Sequence, residues 1–295
     1  MLIEKFIDYL QIEKNYSSNT LFAYKKDLIE FKIFINENFE KYPIENAEYK
    51  VIRLWIIELV NKKLSNRSIN RKVSSLKSFY KFLVKTNTIS SSPLIAHSPL
   101  KQSKKIQVPF SKEEINSLLD SDSFKGDFRG VLQKTIITFF YFTGVRRIEL
   151  INLKESDINM HSSTIRIMGK RNKQRVIPML PKLKKSINDY LNLRFNEFNN
   201  KTLEYLFVSK SGSQLSEKYV YRTVNEYFKL VSPKVKKAPH ILRHSFATHL
   251  INEGADINSV KELLGHSSLS ATQVYSHTSM KRVKEVFKNS HPRAK

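Results

Sequence analysis

The 295-residue chain contains no cysteine. That absence excludes disulfides, a thiol nucleophile and a thiolate metal cage, and it fits a reducing compartment. Glycine is scarce as well: there are 7, the first at Gly126, so residues 1–125 lack the residue that most readily breaks a helix. No run approaches the roughly 20 apolar residues of a membrane span. The opening MLIEKFIDYLQIEK interrupts its apolar residues with charges, as an amphipathic helix does and a signal peptide does not. Acidic residues are few, 27 against 51 Lys and Arg, which leaves a formal charge of +24. What is present, 40% hydrophobic and 11% aromatic residues, is enough to fold a core in each of two domains. The expectation is a soluble, cytoplasmic protein that uses no membrane and whose partner is a polyanion such as nucleic acid. A lysine-rich solvated surface is the competing reading of the same charge.

Apolar residues in the front part recur at three and four residues, as in Phe6, Tyr9 and Leu10, then Leu21, Tyr24, Leu28, Phe31 and Ile35. Further helices are expected from about Tyr49 to Lys62 and from about Ser68 to Lys85, with Ser17 or Ser18 capping the second of the four. Residues 1–96 therefore read as a four-helix domain. Residues 97–109, with Pro99 and Pro109 among lysines and serine, read as a linker. Residues 110–295 read as a mostly helical domain with a small antiparallel sheet. It opens with Ser111 and Glu114 in capping-box spacing, and two short strands, Thr164–Met168 and Gln174–Met179, flank the turn GKRN. The front domain has 16 basic and 10 acidic residues, +6, and residues 97–295 have 35 and 17, +18.

The unusual residues lie in four stretches: TGVRRIEL, GKRNKQR, HILRHSFATHL and LGHSSLSATQVYSH. All are rich in cations, and Glu149 is the only acidic residue in them, so no carboxylate pair suited to magnesium is present. A reaction here has to stabilise negative charge with side chains, which is the demand of phosphoryl transfer. Arginine forks match phosphate oxygens and stay charged. A tyrosine nucleophile, with a pKa of about 10, needs a base or a cationic pocket, and an alkoxide leaving group needs an acid. Taken singly, each residue has a plainer role. One of Arg146 and Arg147 serves as a helix cap or salt bridge, Lys170 is a solvated or phosphate-touching lysine, and Tyr275 is half-buried packing. His240, His244 and His249 invite a zinc reading, weakened by the missing glutamate of H-E-x-x-H and by Arg243 among them.

In order along the chain, Arg146, Lys170, His240 with Arg243, His266 and Tyr275 resemble the active-site series of the tyrosine recombinase (phage integrase) family, in its bacterial Xer branch. The likeness runs from SSNTLFAYKKDL through TGVRRIELINL and GKRNKQRVIP to HILRHSFATHLINEGADINSVKELLGHSSLSATQVYSH. It implies a SAM-like helical core-binding domain and a catalytic domain that close on duplex DNA as a clamp. It also implies attack by Tyr275 on a phosphodiester to form a 3′-phosphotyrosyl link, with Arg146 and Arg243 on the nonbridging oxygens and Lys170 as acid to the 5′-oxygen. His240 and His266 assist, and neither metal, ATP nor other cofactor takes part. The implied partners are a double-stranded recombination site, further copies or a paralogous recombinase in a tetrameric synapse, and a division-linked DNA translocase. The implied role is resolution of chromosome dimers at cell division. An integrase or transposon recombinase, a type IB topoisomerase, a metal-dependent phosphodiesterase and a DNA-binding protein without catalysis are the alternatives. Two departures from the family pattern stand out: Arg171 follows the turn lysine, leaving the turn to Gly169 and Asn172, and Ile148 replaces a small residue and reads as core packing. The helix SNRSINRKVSSLKSFYKF places Arg67, Arg71, Ser74 and Ser78 on one side, as a groove-facing or simply solvated surface. Met280, Val283 and Phe287 form a stripe on a short tail helix that has to pack on its own chain or on a neighbouring subunit.

The charge carries a direct test. If six to ten phosphates are neutralised, duplex affinity falls by about 10³ to 10⁵ between 50 and 200 mM salt. A filter-binding titration checks this, and a flat salt response would count against a phosphate-tracking surface.

Overall fold

A computed structural model of the chain describes residues 2–40, 42–102, 107–169, 173–199, 201–234, 237–265 and 289–293. Each of its two units, Met1–Lys105 and Ile106–Lys295, encloses a hydrophobic core of its own.

The first unit consists of α1 (Leu2–Ile12), α2 (Ser18–Asn38), α3 (Tyr49–Asn61) and α4 (Asn66–Lys85). The residues expected from their spacing to be apolar faces are buried, among them Phe6, Leu10, Leu28, Phe31, Ile35, Leu76, Phe79 and Leu83. Trp55 of α3 packs on Phe31 at 4.9 Å between ring centroids. Ser17 is the N-cap of α2, but its hydroxyl lies 2.9 Å from that of Thr20 and bonds no backbone amide of the helix. Helix α4 starts at Asn66, slightly before the expected Ser68, and Ser65 caps it, accepting from the Ser68 amide at 3.3 Å.

One polar knot lies inside this apolar bundle. Asp27 of α2 is fully buried and accepts from both terminal nitrogens of Arg71 at 2.5 and 2.8 Å, from Lys72 at 3.2 Å and from the Ser75 hydroxyl at 2.8 Å. Lys72 also pairs with Glu30. On the outer side of α4, Arg67 and Ser74 are exposed, Ser78 is half-buried, and Arg71 keeps an exposed stem while its fork is held by Asp27. The segment expected to begin a linker lies along this helix: Asn70 donates to the Leu100 carbonyl and accepts from the Leu100 amide, at 2.8 and 2.9 Å, and Asn66 donates to Lys101 O. At the far end of that segment, Phe110 is buried in the second core and its amide donates to Ser245 Oγ at 2.8 Å.

The second unit begins with α5 (Lys112–Leu119), whose Ser111–Glu114 capping box is complete. Next come α6 (Phe128–Thr143), buried along nearly its whole length, and the single-turn α7 (Arg147–Ile151). The sheet has three strands, not two: β1 (Ile158–Asn159), β2 (Thr164–Met168) and β3 (Gln174–Pro178), all antiparallel in that order. Ile167 stands opposite Arg175, and Ile165 opposite Ile177, so Arg175 shares the inward face with isoleucines. The Gly169 amide closes the hairpin on Lys173 O at 2.8 Å; Asn172, the other expected turn former, lies outside the described residues. Helices α8 (Pro181–Glu197), α9 (Glu217–Val231), α10 (Pro239–Asn252) and α11 (Ile257–Leu264) complete the unit. Among the described residues no helix is long and apolar enough to cross a membrane.

The stripe Met280, Val283 and Phe287 lies outside the described residues. The chain just after it, residues 289–293, docks on its own unit. His291 is buried, stacks on Phe142 at 4.6 Å and lies 3.3 Å from Tyr141 O, while Arg293 forks onto Asp120 at 2.6 and 3.1 Å and bonds Asn116. Burial, the largest influence, brings the His291 pKa down to about 4, so the ring is neutral at physiological pH.

Removing Asp27 would strand Arg71 and the buried Lys72 with Glu30 as the remaining carboxylate. Asp27→Ala is expected to lower the unfolding free energy by about 3 kcal/mol, the scale for breaking a buried ion pair. Urea unfolding followed by circular dichroism measures it, and a loss below about 1 kcal/mol would show the knot to be dispensable.

Candidate active site

Helix α6 stops at Gly144, in the left-handed region at φ +59°. A Cβ here would lie 2.4 Å from the Phe246 ring, so the turn demands glycine for both conformation and space. Two residues later Arg146 becomes the N-cap of α7. Its amide donates to Glu149 Oε2 at 2.8 Å and its Nη1 to Glu149 Oε1 at 2.7 Å. Arg147 turns the other way and pairs with Glu217 of α9, so of the two neighbouring arginines it is Arg147 that makes the ordinary helix-to-helix salt bridge. Ile148, read from sequence as core packing, is instead 45% exposed. On a single turn whose next three residues, Glu149, Leu150 and Ile151, are buried, Ile148 falls on the outer side.

Glu149 is buried and serves a second arginine. Arg175 Nη2 and Nη1 reach its two oxygens at 2.8 and 3.1 Å. Burial alone would raise the pKa of this carboxyl, but the hydrogen bonds and charge of Arg175, with those of Arg146, outweigh it and hold the group below its ordinary value.

Helix α11 supplies the other acceptors. It ends at Gly265, φ +65°, and three successive carbonyls at this end each take a different guanidinium. Leu263 O accepts from Arg175 Nε at 2.8 Å, Leu264 O from Arg243 Nη2 at 2.6 Å, and Gly265 O from Arg146 Nη2 at 3.2 Å. These are carbonyls that a helix leaves without intrahelical partners, at the negative end of its dipole. Arg243 Nη1 also donates to Gly144 O at 2.5 Å, tying α10 to the end of α6. Burial, and next the nearby charge of Arg146, bring the Arg243 pKa down to about 10, which leaves it a cation at neutral pH.

Of the six residues singled out by sequence, the structure brings Arg146 and Arg243 together at adjacent carbonyls. His240 is exposed in the first turn of α10, three residues before Arg243 and so on its side of the helix. Lys170, His266 and Tyr275 lie outside the described residues; Gly169 and Gly265, which precede Lys170 and His266 in the sequence, border the cluster. The three histidines of α10 do not converge: His240 and His244 are exposed, whereas His249 is buried with Nδ1 3.0 Å from the Tyr141 hydroxyl. Sequence reasoning missed Glu149 and Arg175 as functional parts. The signals were there: Glu149 is the lone acid in four cationic stretches, and Arg175 alternates with Ile177 on the inward face of β3.

The phage integrase family model matches residues 110–282, and the phage integrase N-terminal SAM-like domain matches residues 3–87. The chain belongs to the phage integrase family of tyrosine recombinases, enzymes that cut and rejoin DNA strands. It is similar to proteins named tyrosine recombinase XerC, being 37% identical to that of Bacillus pumilus (strain SAFR-032) over 99% of this chain and 97% of the relative. To that of Anoxybacillus flavithermus (strain DSM 21510 / WK1) it is 38% identical over 98% and 97%. Among solved structures, the XerH recombinase in its post-cleavage complex with palindromic difH substrate matches with a TM-score of 0.73 at 24% identity, over 97% of this chain and 83% of that one. The Tn1549 transposon integrase bound to transposon right-end DNA matches with a TM-score of 0.70 at 20% identity, over 96% and 98%. These two share the fold.

The lowered pKa of Glu149 fixes the sign of its pH effect. Its contribution to stability is complete above the ordinary carboxylate pKa of about 4.3 and is lost as pH falls through the lower folded-state value. Glu149→Gln is therefore expected to reduce stability at pH 7 and to flatten the acid side of the stability–pH curve. Thermal melts from pH 7 to pH 3 test this, and parallel curves for the two proteins would refute it.

Proposed function

We propose that this chain is a site-specific Xer-type recombinase that resolves chromosome dimers, with Tyr275 as its nucleophile. The observation that carries the catalytic assignment is the pair Arg146 and Arg243, held as cations on adjacent carbonyls at the end of α11. Two forks fixed side by side suit the nonbridging oxygens of one phosphodiester, where charge accumulates in the transition state. The Xer role is supported by about 37% identity to XerC proteins over nearly the full chain.

In this reading the Tyr275 oxygen attacks phosphorus and the bond to the 5′-oxygen breaks, giving a 3′-phosphotyrosine. The tyrosine proton passes to a base, and His240 and His266 are the candidates. Lys170 gives a proton to the departing 5′-oxygen, which leaves as a hydroxyl. Rejoining reverses each transfer, and the phosphotyrosyl bond conserves the energy of the broken link, so no nucleotide is consumed. Lys170 falls in the sequence between the end of β2 at Met168 and the start of β3 at Gln174. The partners in this reading are a duplex recombination site, further copies or a paralogous recombinase in a tetrameric synapse, and a DNA translocase linked to division. The cytoplasm, where chromosomal DNA resides, is the compartment.

A nicked suicide substrate, from which the freed strand diffuses away, traps the intermediate. Wild-type protein is expected to form the covalent adduct equally well in EDTA, and Tyr275→Phe to form none, as read on a denaturing gel. Adduct formed by the phenylalanine variant would overturn the assignment of the nucleophile, and strong inhibition by EDTA would overturn the metal-free chemistry.

A further inference from the structure

Arg175 is a buried cation that the mechanism above does not use. Every polar end of it is engaged: Nη1 and Nη2 fork onto Glu149, and Nε donates to Leu263 O. Through Glu149 it is one carboxylate away from Arg146, and through Leu263 it is one residue away from the carbonyl that holds Arg243. It also bears on both glycines next to undescribed catalytic candidates. A Cβ at Gly265 would lie 3.1 Å from its Nη1, and one at Gly169 3.8 Å from the same atom. A buried guanidinium in an inward strand position costs desolvation that an isoleucine would not, and a stability role alone gives no reason for it.

We infer that Arg175 is a positioning residue for catalysis, fixing through Glu149 and the end of α11 the place at which Arg146 and Arg243 meet the scissile phosphate. This rests on the reading of Arg146 as a phosphate-binding residue. Without the fork, Glu149 keeps Arg146 alone and is free to rotate with it. The end of α11 likewise loses its tie to β3. An error of about 1 Å in such a site costs about 10²-fold in rate.

The test compares single-turnover adduct formation at saturating suicide substrate for wild type, Arg146→Ala, Arg175→Gln and Arg175→Lys, and for the double variant Arg146→Ala with Arg175→Gln. Arg175→Lys keeps the charge inside and guards against a folding failure of the glutamine variant, since it loses the fork while retaining a cation beside Glu149. Both Arg175 variants are expected to slow cleavage by about 10²-fold for Gln and somewhat less for Lys, with DNA affinity within about twofold. The double variant is expected to be no slower than Arg146→Ala. A substrate with a methylphosphonate at the scissile position removes the negative charge that Arg146 meets, so there the Arg175 deficit is expected to shrink in step with that of Arg146→Ala. A purely structural role would leave the deficit the same on both substrates and multiplicative in the double variant, and either result overturns the inference. So does an Arg175→Lys protein that cleaves as fast as wild type while Arg146→Ala is slow. If Arg146→Ala itself cleaves at the wild-type rate, the site assignment fails first and takes the inference with it.

Discussion

The end of one short helix organises the catalytic unit. Leu263, Leu264 and Gly265 present three carbonyls that α11 cannot satisfy, and three arginines from β3, α10 and the start of α7 converge on them. A single buried carboxylate, Glu149, then pairs two of the three. Guanidiniums brought this close repel one another, and among the described residues the backbone dipoles and Glu149 offset that repulsion. Gly144 and Gly265 make this feasible, since both helices end in a left-handed turn that aims a carbonyl at an arginine.

The first unit applies a related solution to a different end. Asp27 lies among apolar helices and gathers Arg71, Lys72 and Ser75 from one face of α4. The exposed stem of Arg71 thus carries a head group whose direction is set from inside the bundle. The same helix holds the chain that leaves the unit, through Asn70 and Leu100, so the orientation of α4 and the exit of the chain are fixed together.

Much of this was readable before any coordinates. The helices of the first unit follow from apolar residues at three- and four-residue spacing without glycine, and α5 from a Ser–Glu box that the structure completes. What escaped has physical causes. Strand β1 is two residues long, too short to show alternation. Ile148 looks like core by composition, yet a one-turn helix has few inward places and they go to Glu149, Leu150 and Ile151. Prolines and lysines at residues 97–109 read as a free connector, but side-chain amides of α4 hold the first part of it. Arg146, His240 and Arg243 are legible as a motif, whereas the pairing of Glu149 with Arg175, and of Arg175 with Leu263, joins residues 26 and 88 positions apart, which no local spacing shows.

The docked end of the chain has a consequence of a topological kind. Arg146 holds the carbonyl of Gly265, while Arg293 is forked onto Asp120 and His291 is sealed against Phe142. Gly265 and residues 289–293, well separated in the sequence, are thus both held on one unit. Without residues 289–293 the Phe142 ring would be bared and Asp120 would lose its arginine, so the core beside α6 is closed by a histidine 150 positions further along the sequence from Tyr141.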